Sequence, residues 1–252
     1  MKKYLQAFFM AFGMFTSIPC PYRPWNDEAR PLMILFFPII GVILGALWFG
    51  AWILFRYLGF PSLLTAALMT ILPYALSGFL HLDGYMDVCD AVLSRRGLEE
   101  RQRILKDPHV GSFAVIMICC LFLVNFSLFA SVDANSSMLI LILLPAAVRC
   151  CAGAAVTLLR PMQTSQYSGT YRTNAKTSHV IILLIMFCLC IAGGYLLDPW
   201  RGAAILGIGS AVYWLSVLWG SRNLRGMNGD ISGFGLVLGE LAGIAALVFI
   251  GG

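Results

Sequence analysis

Long apolar runs separated by short polar stretches set the pattern of this chain. Runs at 33–55, 62–80, 112–131, 137–159, 179–197, 202–219 and 233–251 are each long enough to cross a bilayer as a helix. A shorter apolar segment, Tyr4 to Ile18, is closed by Pro19 and Pro21 and reads as an interfacial or re-entrant helix. The pattern predicts an all-α, polytopic transmembrane bundle of about seven spans plus that short N-terminal helix. It is expected to form one compact domain over residues 1–252, not a chain of soluble domains.

Composition agrees. Mean hydropathy is +0.84, and charged residues make up 12% of the chain, about half the share found in soluble domains. Lys2 and Lys3 precede the first apolar segment without a convincing small-residue cleavage site, so the segment is read as part of the mature protein. The eight cysteines include no C-x-x-C pair. They read as small packing residues, not as zinc or redox ligands.

Charge orients the spans. With loop 20–31 on the cytoplasmic side, the segments 20–31, 81–111, 160–178 and 220–232 carry twelve Lys and Arg residues, and the opposite loops carry only Arg56 and Arg201. That asymmetry predicts a multi-pass protein with the richer side facing the cytoplasm. The net charge of +5 follows from topology and calls for no nucleic-acid partner. Every polar stretch with chemical potential falls on that one face. A transporter would gather its polar residues near the midplane, so the distribution favours an enzyme acting on cytoplasmic substrates.

The densest polar stretch is His81-Leu-Asp83-Gly84-Tyr-Met-Asp87-Val-Cys-Asp90. It is expected to continue directly from the 62–80 span as a helix. At about 100° per residue, Asp87 and Asp90 lie about +40° and −20° from Asp83, so the three carboxylates share one face. A solvated helix face is the plain alternative. Acids at headgroup depth are costly, however, and usually functional. Carboxylates this close suit Mg²⁺, and two ions could clamp a phosphoryl displacement. Asp83, Asp87 and Asp90 are therefore the candidate metal ligands and, with His81, the candidate catalytic residues.

Other candidates surround them. Arg95, with Arg96 beside it, follows about one turn after the acids and could bind phosphate. Lys106-Asp107-Pro108-His109-Val110-Gly111 is a polar turn in which Lys106 is assigned to substrate binding and Asp107 or His109 could be an acid, a base or a ligand; a plain turn with a Pro breaker is the alternative for His109. Arg149 lies inside a span. It either holds a phosphate in a polar cavity, the favoured reading, or forms a structural pair with an acid. Glu240, in the last span, is one such partner. Ser168–Arg172 is a polar loop suited to folding over a substrate. In Gly226-Met-Asn228-Gly229-Asp230-Ile-Ser-Gly233 the glycines would let backbone N–H groups approach a phosphate; the alternative is a turn with Asp230 as N-cap. Asn228, Gly229 and Asp230 are assigned to substrate binding. Small-residue stretches at Gly41…Gly45 and Ala152–Ala155 suit packing within the chain or in a homo-oligomer.

The sequence resembles cobalamin synthase, the adenosylcobinamide-GDP ribazoletransferase family. The most specific match is Gly78-Phe-Leu-His81-Leu-Asp83-Gly84, then Asp87 and Asp90. Lys106-Asp107…Gly111 and the Gly226–Gly233 motif follow the same pattern, as do Phe12…Thr16-Ser17-Ile18-Pro19 and Phe37-Pro38-Ile39-Ile40-Gly41. Ala91 stands where the family usually has Gly, and Pro108-His109 where it has Ser-Arg. The resemblance implies transfer of the adenosylcobinamide-phosphate moiety of adenosylcobinamide-GDP to α-ribazole or its 5′-phosphate. GMP is released, Mg²⁺ is required, and the reaction is a late step of vitamin B12 synthesis. Phosphatidyltransferase-like phospholipid synthesis is the nearest rival, but its acids are spaced over about 20 residues. A cation-coupled transporter is a more distant one.

Overall fold

The computed structural model describes residues 2–133, 136–162 and 177–251. Ten helices occupy these residues, with no strand longer than an isolated bridge among them. They are α1 (Lys2–Phe15), α2 (Met33–Tyr57), α3 (Ser62–Leu76), α4 (Leu80–Leu93), α5 (Leu98–Ile104), α6 (Ser112–Ala130), α7 (Ile140–Leu158), α8 (Thr177–Leu197), α9 (Arg201–Leu224) and α10 (Gly229–Ile250). The chain is a polytopic helix bundle. Six helices (α2 and α6 to α10) are long and apolar enough to cross a membrane, and α3 with α4 forms a bent seventh unit. The Ser168–Arg172 loop lies outside the described residues.

α7 is the axis of the bundle. Its apolar window is 78% buried, against 17% for α8 and 28% for α6, whose apolar sides face outward. Close packing around α7 uses residues without bulk, as expected where lipid supplies no hydrophobic drive between helices. A Cβ on Gly41 would lie 2.7 Å from the Ala146 backbone, and one on Gly209 2.8 Å from the Gly239 carbonyl. The Gly41…Gly45 stretch is thus used within the chain, against α7.

The structure corrects one expectation about the central helix. α4 does not continue from α3. The two meet at 94° across Ser77-Gly78-Phe79, where Gly78 and Phe79 have φ of 65° and 59°. Gly tolerates this left-handed conformation, and a non-Gly residue holds it only at a cost. The end of α1 braces the break. Ser17 donates its hydroxyl to the Ala75 carbonyl (2.6 Å), which also accepts from the Gly78 N–H (3.0 Å), and its N–H to the Leu76 carbonyl (2.9 Å), which the bend would otherwise leave bare. α1 itself packs through Ala7, Met10 and Ala11 beside Met33, Ile40 and Leu44 of α2.

Beyond the bend, α4 lies across the ends of other helices instead of running through the bundle. It touches the second turn of α2 (Phe37 to His81), the first turn of α10 (Asp230 to Gly84) and the residue before α6 (Gly111 to Asp90). α5 then anchors to the C-terminus of α9. Arg101 donates to the Asn223 side chain (3.0 Å) and Gln102 to the Leu224 carbonyl (2.8 Å).

Candidate active site

On α4 the residues Leu82, Tyr85, Val88, Cys89 and Val92 are buried, and Asp83, Asp87 and Asp90 form the more open stripe. The i, i+4, i+7 spacing thus gives one acidic face. A fourth acid joins it through two glycines. A Cβ on Gly84 would lie 2.8 Å from the Asp230 Cα, and one on Gly233 3.0 Å from the His81 carbonyl oxygen. Each glycine of one motif therefore receives the backbone of the other, and Asp230 comes beside the α4 acids. Gly111 has a similar role: a side chain there would collide with the Asp90 carboxylate.

None of these four acids is in an ion pair among the described residues. Burial pushes the Asp87 carboxyl up to about 7, helped by the charges of Asp83, Asp230 and Asp90. No three His, Cys, Asp or Glu groups form a ready-made ligand set among the described residues. The site is an open acidic face, not a closed cage.

The 226–233 stretch is a helix start, and Asn228 is its N-cap, not Asp230. The Asn228 side-chain oxygen accepts from Ile231 N–H (3.0 Å), and its amide donates to the Asp230 carboxylate (2.6 Å). Two of the glycines expected at a phosphate are used for packing: Gly233 against His81, and Gly226 against the Met162 backbone at 2.5 Å. Gly229 faces open space.

His81 is 8% exposed, and its Nε2 is buried without a hydrogen-bond partner. Its ring stacks on Phe15 (centroids 6.2 Å) and meets Phe37 edge-on (5.9 Å). With Phe15, Ile34, Phe37 and Val156 it lines a cavity of about 300 Å³ that reaches Gly229, Asp230 and Ser232. Of this wall the sequence singles out His81 alone, although Phe15 and Phe37 both fall within the family-like N-terminal stretches.

The predicted cations are not gathered around the acids. Arg149, expected at a phosphate, is 3% exposed and donates to Glu240 at 2.6 Å, with its guanidinium 5.4 Å from the Phe37 ring centre. A charge this deep requires a partner, and the facing span supplies one. Arg95 sits in the left-handed turn after α4 (φ 55°) and is exposed. Lys106 lines a surface groove with Glu99, Gln102, Arg103 and Asp107. Asp107 accepts from the His109 ring (2.7 Å) and backbone (3.0 Å), which holds its carboxyl below the usual range and closes the turn.

Gly84→Ala is expected to push α4 off α10 and cut turnover more than about tenfold, because a misplacement near 1 Å is enough. Turnover measured at matched membrane levels checks this. Gly207→Ala, where a Cβ would meet nothing within 4 Å, is the control.

The chain is similar to proteins named adenosylcobinamide-GDP ribazoletransferase. The relative from Clostridium botulinum (strain Alaska E43) is 39% identical over 247 residues, covering 97% of each chain. That from Clostridium perfringens (strain 13) is 38% identical over 252 residues, covering 99% of this chain and all of its own. A Lachnoclostridium phytofermentans relative is 31% identical over 253 residues, covering 98% of this chain and 95% of its own. No solved structure matches significantly. The family model described as cobalamin-5-phosphate synthase matches residues 7–248, a span that takes in the bent α3–α4 unit, the acidic face and the start of α10, and the chain belongs to that family.

Proposed function

We propose that this protein transfers the adenosylcobinamide-phosphate moiety of adenosylcobinamide-GDP to α-ribazole or its 5′-phosphate at the membrane surface. The carrying observation is the convergence of Asp83, Asp87, Asp90 and Asp230 on one open face. It is supported by full-length similarity to relatives named for this reaction. In the transfer, a hydroxyl oxygen of the acceptor sugar bonds to the phosphorus attached to cobinamide. The bond from that phosphorus to the GMP oxygen breaks, and the hydroxyl proton passes to a carboxylate.

The donor set fits Mg²⁺: all-oxygen, anionic and without a competing cation among the described residues. Mg²⁺ is commonly held by one or two carboxylates together with substrate phosphates, so the acids need not form a complete ligand set by themselves. Asp83, Asp87 and Asp90 would hold it, and it would neutralise charge on the diphosphate. Asn228 fixes Asp230 beside them. The excess of Lys and Arg on the loops of this side supports a cytoplasmic orientation.

The test is GMP release from adenosylcobinamide-GDP by the purified, bilayer-reconstituted chain. Release is expected only with α-ribazole or its phosphate and Mg²⁺ present. Release of CMP from a CDP-alcohol instead would move the protein to the phospholipid enzymes.

A further inference from the structure

The cavity beside Asp230 has a character of its own. It is small, about 300 Å³, at the lower end of ligand pockets, and it lies between α1, α2, α4, α7 and the start of α10. Its walls are apolar: Ile34, Val156 and Ala152 with the rings of Phe15 and Phe37, whose centroids are 4.4 Å apart. Its polar groups are confined to His81, Asp230 and Ser232. His81 is more than nine-tenths buried, and its Nε2 lacks a hydrogen-bond partner, a costly state unless a ligand or water answers it.

We propose that this cavity seats the heteroaromatic base of the acceptor nucleoside, a flat and largely apolar ring system, with its sugar directed to Asp230 and the acidic face. The inference rests on the transferase reading and assigns a subsite to one of its two substrates. A corrinoid is far too large for the space. Guanine carries donors and acceptors around most of its edge, and a buried purine would leave several of them unpaired against Ile34, Val156 and Phe37. An apolar base loses nothing there and gains ring contacts with Phe15, Phe37 and His81.

Equilibrium dialysis of the full chain in detergent, with α-ribazole alone as probe, reads the cavity directly. Steady-state kinetics read it in turnover. Phe15→Leu and the cavity-filling Ala152→Leu are expected to raise both Kd and KM for α-ribazole about tenfold. KM for adenosylcobinamide-GDP should move by less than about twofold. Phe15→Trp, which keeps a ring, should retain most of the affinity and shows that loss in the other variants is not misfolding. Unchanged α-ribazole affinity in both variants overturns the assignment, as does a rise confined to the donor's KM. Wild-type chain that binds α-ribazole in a Phe15-dependent way yet releases no GMP would uphold the cavity assignment and sink the transferase reading.

Discussion

Asp87→Asn is expected to lower turnover by about 100-fold or more while leaving membrane insertion intact. Asp87 is the acid on which the others act: Asp83, Asp230 and Asp90 all raise its pKa, after burial itself. A hard cation removes that penalty by replacing the proton. Loss of one central carboxylate weakens both cation binding and the neutralisation of transition-state charge, each a matter of several kcal/mol in comparable sites. The pH dependence has a definite sign. With its carboxyl raised to about 7 in the metal-free chain, Asp87 holds its proton more at pH 6 than at pH 8. Apparent Mg²⁺ affinity in the native protein should therefore rise across that interval, and in the Asn variant it should rise less. Stability moves the other way. A folded-state pKa raised from 3.8 to about 7 means that the metal-free fold loses stability as pH rises between those values. Without divalent cation at pH 8, the Asn variant should melt at a higher temperature than the native chain. Added Mg²⁺ should stabilise the native chain and barely affect the variant. Thermal melts at pH 6 and 8, with EDTA or with Mg²⁺, give all four readings. A variant that keeps most of its turnover and its Mg²⁺ response would remove Asp87 from the site.

The second large effect lies in the bundle core. Arg149→Ala should destabilise the protein by about 3–5 kcal/mol, because it leaves Glu240 charged and unpartnered among apolar helices. Glu240→Gln leaves the guanidinium in the same position and should cost a similar amount. Replacing both by residues of like shape, Arg149→Met with Glu240→Leu, removes both charges and should recover much of the loss. A buried pair is expensive to break but adds little net stability. Fluorescence-detected thermal melts of the three variants check the ordering. A pair engaged only in stability predicts that the double variant regains turnover along with its melting temperature. A phosphate-binding Arg149 predicts a folded and inactive one.

Much of this was legible in the sequence because the bilayer simplifies the code. Apolar runs gave the spans to within a few residues, and the i, i+4, i+7 spacing placed Asp83, Asp87 and Asp90 on one face of α4. What escaped depended on contacts between distant segments. The 94° break at Ser77–Phe79 hides inside an apolar run, since hydropathy does not register φ and the bracing Ser17 lies about 60 residues earlier. The glycines of Gly226–Gly233 carry two meanings, phosphate approach and helix approach, and only the facing backbone separates them. Arg149 was ambiguous for the same reason: its partner is 91 residues away. The aromatic wall of the cavity joins Phe15, Phe37 and His81 from three helices, with no periodicity to connect them.

The reciprocal seating of Gly84 and Gly233 also has a consequence for biogenesis. α10 is synthesised after α4 and α7, and it brings both Asp230 and Glu240. Until then α7 holds Arg149 in the bilayer without its counter-charge, at an insertion cost of about 2.5–3.5 kcal/mol, and the α4 acids lack their fourth member. A nascent or prematurely ended chain therefore carries an incomplete site and a weak span at once.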